Sequence, residues 1–198
     1  MDNANNNTIN AVEIYGNDQF GMLINNNSTY NTITNSQVQN NASYGIDIYD
    51  NSDNTTISNS QIYNNNDNGI HIQDTDYTTI DNSQIYNNSS NGICLNYANN
   101  NTTISNSQVY MNSNNGIDVY YSNNTLINNS QVYNNNGYGI FIHDFSNGTT
   151  INSIQSYNNG GYGMYNWHSS PTTYYGTIKL FSNNEGNNIY DPNNQVVA

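Results

Sequence analysis

The sequence predicts an all-β fold, a right-handed parallel β-helix of about eight coils wound from three parallel sheets. Three observations predict it. Ile recurs at 9, 33, 57, 80, 104, 127 and 151, and Gly at 21, 45, 69, 92, 116, 139 and 163, each Gly 12 residues after its Ile. Apolar residues inside each unit alternate with period 2 in three short runs, the mark of strands with one buried face. No 3.6-residue pattern appears anywhere. A unit of 23–24 residues is too small to bury its own apolar face, but identical units stacked on one another bury a continuous core.

The elements follow in order within the best-preserved unit, T-T-I-S-N-S-Q-I-Y-N-N-N-D-N-G-I-H-I from Thr55 to Ile72. The first run holds the repeat Ile. Two residues on comes Asn35, Asn59, Asn82, Asn106 or Asn129, suited to a tight bend because Asn tolerates left-handed backbone. The next residue, Ser36, Ser60, Ser83, Ser107 or Ser130, points inward by period 2. That column turns apolar at the ends, at Val12, at Ile154, and at Ile178 if Tyr175 takes the next repeat position. In the seventh coil Ile154 and Ser156 exchange places, which conserves core volume. The second run buries Ile14, Val38, Ile62, Ile85, Val109 and Val132. The third, after the Gly, buries pairs such as Ile46 and Ile48 or Ile117 and Val119. All length variation falls between a Gly and the next Ile, so one adjustable turn lies there. Residues 1–198 read as one domain: regular coils over about 8–166, a longer loop over 167–176, and a last irregular coil over 177–198. There Leu180 and Phe181 continue their columns, and Asn188 takes the Gly place after a one-residue insertion.

The recurring T-I-x-N-x-x-I…G-I-x-I signature resembles the parallel β-helix repeat of the pectin-lyase-like superfamily, including its NosD-like members, over roughly residues 8–190. The resemblance implies the fold, and an asparagine ladder at the bend formed by Asn35, Asn59, Asn82, Asn106 and Asn129. It implies no single activity, because the superfamily holds lyases, hydrolases, epimerases and adhesins. Its lyases use Arg or Lys as base, and its hydrolases use grouped Asp with His and Arg-Lys motifs. Neither set is present here.

Composition narrows the field further. Lys and Arg together number one, Lys179, against 14 Asp and Glu, for a net charge of −13. Nucleic acid is therefore excluded as a partner, since phosphate binding needs cations. No apolar run of the roughly 18 residues needed to span a bilayer occurs. The single Cys, Cys94, excludes a disulfide framework. Asn supplies 50 residues, and an Asn-Thr-Ser surface without Lys suits an extracellular or cell-surface protein. No signal peptide is visible at Met1-Asp2-Asn3-Ala4, which fits a mature or excised segment.

Three outward patterns are candidates for function. The second run exposes Tyr63, Tyr86, Tyr110, Tyr133 and Tyr157 beside Gln61, Gln84, Gln108 and Gln131. Aromatic rings with flanking amides stack on sugar rings; equally, such ladders stabilise in-register parallel strands by themselves. On the third run Asp47 and His71 are neighbours about 4.8 Å apart along the stack, with Asp50 and Asp74 in the turns that follow. Those four are candidates for a calcium site, or are acids solvated in polar turns. His71 and His143 lie about 14 Å apart and do not share a metal. Paired Thr columns on the first run, such as Thr32 with Thr34, resemble ice-binding solenoids, but Asp81, Leu126 and Asn128 interrupt the lattice.

These observations support a non-catalytic structural or adhesive β-helix that binds a polysaccharide or cell-surface glycan through the Tyr/Gln face, with no cofactor other than a candidate calcium. The alternatives are a carbohydrate-active enzyme using Asp47 and His71, and an ice binder. The terminal coils offer unpaired strand edges, broken at the C-terminus by Asp191-Pro192, and so invite end-to-end stacking with copies or with further domains.

Overall fold

A computed structural model describes residues 1–97 and 100–191. Three eight-stranded sheets wind around one narrow core, each strand pairing parallel with its equivalents one coil before and after. In the third coil the strands are Thr56–Ser58, Gln61–Tyr63 and Ile70–Gln73. They belong to what we term the Thr-Ile, Gln-Tyr and glycine sheets. Pairing is in register along the repeat: Ile57 meets Ile80, Ile62 meets Ile85, and Ile70 meets Ile93. The inward columns expected from the sequence are fully buried from Ile33 to Ile151. Among the described residues no helix is long and apolar enough to cross a membrane.

Polar ladders close the corners of this core. The inward Ser column is buried as expected; each Ser Oγ donates to a carbonyl two residues back and accepts the amide of the Ser one coil earlier. The exchange of Ile154 and Ser156 holds, both being fully buried. The buried asparagine ladder, however, is not the column two after the Ile. It runs through Asn41, Asn65, Asn88, Asn112, Asn135 and Asn159, eight after the Ile, with each Nδ2 donating to the next Oδ1 at 2.9–3.1 Å. Asn35, Asn59, Asn82, Asn106 and Asn129 do adopt left-handed backbone at the bend. They face solvent there, and Asn82 to Asn59 is the rung seen between them.

The buried ladder also explains the glycine column. A Cβ at Gly69 would lie 2.5 Å from Ile85 Cγ2, 2.6 Å from Asn88 Nδ2 and 2.7 Å from the Gly92 carbonyl. Glycine is required by this close approach, not by its backbone angle. The Asn richness has a related origin. Each coil turns through several left-handed residues, and most of them are Asn, among the few side chains that visit this region readily.

The ends differ from expectation. Residues before Thr8 already follow the solenoid: Asp2 bridges Asn25, and the amides of Ala4 and Asn7 donate to Ser28 Oγ and Asn31 Oδ1. Met1 packs on the core. The expected loop over 167–176 is largely structured. Tyr162–Trp167 is one strand, and Thr173–Tyr175 pairs in register with Thr150–Asn152. Tyr174, rather than Tyr175, therefore occupies the Ile column, and the added residue is taken up beside Gly176, which has φ +63. Leu180 and Phe181 continue their columns as expected. The last strand, Gly186–Tyr190, shifts register between Tyr162 and Met164, which accommodates the inserted residue near Asn188. Pro192 and the residues after it lie outside the described residues.

Candidate functional site

The Gln-Tyr sheet forms the ladder its sequence suggests. Tyr63, Tyr86, Tyr110, Tyr133, Tyr157 and Phe181 stack with centroids 4.7–4.9 Å apart and interplanar angles of 1–5°. Each interior ring has a ring above and a ring below. Gln61, Gln84, Gln108 and Gln131 pair in register beside them, and Tyr133 donates to Gln108 Oε1 at 3.3 Å. Burial, and then the neighbouring phenols, raise the pKa of Tyr86 and Tyr110. Stacking on sugar needs free ring faces, and in this column those faces are taken by the ladder itself. What remains outward is a row of ring edges, hydroxyls and amides.

The candidate cation residues come together only in part. Asp47 and His71 pair at 2.8 Å, 4% and 8% exposed, with the Tyr44 ring stacked on the imidazole at 4.6 Å. Asp50 and Asp74 sit in the following turns in left-handed backbone, and bond to Asn51 and Gln73. Asp74 lines a shallow cavity of about 210 Å³ with Asn51, Asp53, Asp76 and Asn100. Among the described residues no group of three or more His, Cys, Asp or Glu is placed to hold a metal ion. The Thr-Ile sheet keeps its Thr columns in register, interrupted at Leu126. The Asp81 carboxylate is drawn into bonds from Ser105 and Asn106.

The C-terminal half of the glycine sheet gathers a different set. His143 Nε2 lies 2.9 Å from Asp118, and its Nδ1 lies 2.9 Å from Asp144. Asn91 and Asn115 donate to the other Asp118 oxygen. Phe141 stacks flat on the imidazole, at 3.9 Å and 4°. The Tyr120 ring is tilted against it, at 4.8 Å and 36°. A groove of about 310 Å³ is lined by Cys94, Asn96, Tyr97, Asp118, Tyr120 and His143. Burial pulls His143 down, but hydrogen bonds and charge from Asp118 and Asp144 outweigh it, so the pKa is raised. Burial, followed by Asp118, pushes the Cys94 thiol up to about 12. A hydrogen bond with Tyr97, followed by burial, pushes Tyr120 up to about 12.

Tyr97 lines this groove and begins a run of aromatic residues at turn positions where the repeat normally places Asn or Asp; Phe145 and His168, higher in that run, line a separate open cavity with Asn147 and Ser170. The left-handed residue five after the Gly is Asn26, Asp50 and Asp74 in the early coils, then Tyr97 and Tyr121, then Asp144 and His168; Phe145, next in line, is left-handed too. Bulky residues rarely adopt this backbone, and such outliers cluster at functional sites. Tyr97, Tyr121 and Phe145 are 39–60% exposed. Beyond them Tyr138, Tyr165, Trp167 and Tyr190 form a second aromatic group with interplanar angles of 27–35° where these rings contact one another. The signal was present in the sequence as aromatic residues in the adjustable turns. Columns counted from the repeat Ile lose alignment there.

The sequence matches the protein-family model described as right-handed β-helix region, over residues 1–77 and 27–178. No curated protein sequence is a significant match. Among solved structures, the chain is similar to the periplasmic alginate epimerase AlgG, with TM-score 0.80 and 20% identity, covering 93% of this chain and 48% of that one. The A-module of the Azotobacter vinelandii mannuronan C-5 epimerase AlgE6 gives TM-score 0.67 at 17% identity, over 96% of this chain and 59% of that one. The Dettilon tailspike protein gives 0.71 at 14% identity, over 88% and 40%. The chain thus spans about half the length of the alginate epimerase it matches. At these identities the likeness is one of fold.

Proposed function

The chain belongs to the right-handed β-helix family, and from that premise we propose that it is a non-catalytic carbohydrate-binding β-helix of the cell surface or extracellular space. The glycan lies along the C-terminal half of the glycine sheet. The observation that carries this reading is the aromatic run at the groove of Asp118 and His143, from Tyr97 and Tyr120 in its lining to Tyr121 and Phe145 beyond it. Tyr97, Tyr121 and Phe145 keep exposed ring surface, whereas the rings of the Gln-Tyr ladder cover one another. Carbohydrate as the ligand class is supported by neighbours of the same fold named as alginate and mannuronan epimerases. The periplasmic location named for one of them fits a surface of Asn, Ser and Thr with a single Lys.

Binding is favoured over catalysis by the state of the ionisable groups. A general base needs a lone pair within reach of substrate, and both His143 nitrogens are already engaged by carboxylates. The Cys94 thiol and the Tyr120 phenol are held protonated far above neutral pH. The enzyme reading keeps one specific observation in its favour, the Asp118–His143 pair at the groove floor. Retention on a glycan array separates the readings. The double variant Tyr120→Ala with Trp167→Ala should lose retention with only a small change in melting, and no glycan should be cleaved or epimerised. Retention lost instead by Tyr86→Ala with Tyr110→Ala would move the site to the ladder. Product formation abolished by His143→Ala would make the protein an enzyme.

A further inference from the structure

We infer that the groove on the glycine sheet selects a sugar bearing a free amine, a basic glycan of the polyglucosamine type, over neutral and uronic sugars. The inference rests on the carbohydrate reading above and narrows its ligand class by charge. Two carboxylates, Asp118 and Asp144, face one cationic group, His143, which lies between them. With His143 protonated the trio still carries a net negative charge. The surroundings add to it: the charge of Asp67 reaches Tyr44 and Cys94, and that of Glu185 reaches Tyr138 and Tyr165.

Beyond His143, whose two nitrogens are both engaged by these carboxylates, no compensating cation stands nearby. The sequence has no Arg, and Lys179 sits in the strand Lys179–Phe181 of the Gln-Tyr sheet, on another face. A uronate placed here would meet net negative charge, with both His143 nitrogens already engaged by carboxylates, and like charges juxtaposed at an interface are a strong bar to binding. A neutral sugar would use the rings and donate hydroxyls to the carboxylates, but would leave their net charge unpaired. An ammonium uses both. It is attracted to the faces of tyrosine rings and pairs with a carboxylate at short range. The two carboxylates are unequal for this purpose. Asp118 is 13% exposed and takes bonds from His143, Asn91 and Asn115, whereas Asp144 is 37% exposed and lies beside the exposed ring of Phe145. Asp144, which flanks the groove beside His143 rather than lining it, is therefore the carboxylate assigned to the amine, and Asp118 the one that holds His143 in place.

Titration calorimetry with four tetrasaccharides tests this: glucosamine, N-acetylglucosamine, glucose and a hexuronate, each at low and at raised salt. Glucosamine is expected to bind at least tenfold tighter than its acetylated form, and added salt should shrink that ratio. Asp144→Asn should bring the ratio close to one without changing the melting curve. Asp18→Asn, which removes the same charge from the exposed first coil, should leave the ratio unchanged. Equal loss in both variants would mean that overall negative charge attracts the amine, and would overturn the assignment. Equal or tighter binding of the acetylated, neutral or uronic sugar would overturn it too. If that binding still depends on Tyr120 and Trp167, the carbohydrate reading survives while the amine assignment falls. If none of the four binds, both fall together.

Discussion

The Gln-Tyr sheet and the C-terminal half of the glycine sheet are built on the same core by the same winding, yet they use aromatic side chains in opposite ways. On the Gln-Tyr sheet, like sits on like. The rings lie within 5° of parallel, and what they gain in stacking they lose as surface for anything else. On the glycine sheet the outward column changes from coil to coil, through Asp47, His71, Cys94, Asp118, Phe141 and Tyr165. Unlike neighbours do not continue one ladder, so stacked pairs alternate with tilted and edge-on ones, carboxylates find imidazoles and a groove opens. Repetition makes a face stable and chemically closed. Its interruption leaves a face open to a ligand.

The largest effect expected is the loss of both faces at once. Ile117 is fully buried beneath the glycine sheet. An unpaired carboxylate there is far costlier than an unpaired polar group, which already costs several kcal/mol. Ile117→Asp should show no cooperative melting and no ring-stacking signature in near-ultraviolet circular dichroism. An ordinary transition would reject the register from which the comparison starts.

Next comes a rung of the buried ladder. Asn112 Oδ1 accepts from the Asn88 backbone and side-chain amides, and its Nδ2 donates to Asn135 Oδ1. Asn112→Ala orphans these groups at about 1–3 kcal/mol each. It should lower stability on chemical denaturation and, once folded, leave glycan retention intact, because the ladder supports both faces equally.

A paired measurement sharpens the contrast itself. Tyr86→Ala removes a ring from the middle of the stack. It should cost about 0.5–1.5 kcal/mol beyond the lost burial, with ligand affinity unchanged. Tyr120→Ala should do the reverse, giving a small change in melting and at least a tenfold loss of affinity. The same pattern from both variants would erase the distinction drawn between the faces.

The smallest effect is a pH dependence confined to one face. The folded pKa of His143 is raised above its ordinary value near 6.5. Its contribution to stability is therefore complete below that value and is lost as pH rises through the folded pKa. The midpoint of unfolding should fall across this window, and His143→Gln should flatten the fall. A slope that persists in the variant would assign the effect to another group.

The fold was legible because Ile and Gly each mark their column at constant spacing, and a β-helix is little more than such columns stacked. The asparagine ladder was legible in kind but not in place. Asn fills the bend two after the Ile as well as the corner eight after it, and sequence does not say which amide is buried. The deciding contact is the approach of Asn88 Nδ2 to the backbone of Gly69, which no linear pattern displays. Tyr174 escaped notice because an aromatic residue replaces the Ile where the turn length also changes. The groove was hidden for the same reason. Asp118, His143 and Tyr97 belong to three successive coils joined by turns of unequal length, and their meeting depends on how those turns align.

The ladders leave one matter open to the chain that its aromatic turns resolve. Seven nearly interchangeable units mean that a coil docked one place too early would still find Ile on Ile, Ser on Ser and Asn on Asn, with little to mark the error. Tyr97, Tyr121, Phe145 and His168 are unlike the Asn and Asp that hold comparable places lower in the stack. They act as addresses, because slipping the coil of Tyr121 down one place would bring Tyr121 against Asp74 and lose its stacking on Tyr97. The aromatic turns that run upward from the groove thereby give each upper coil a position it cannot exchange with another.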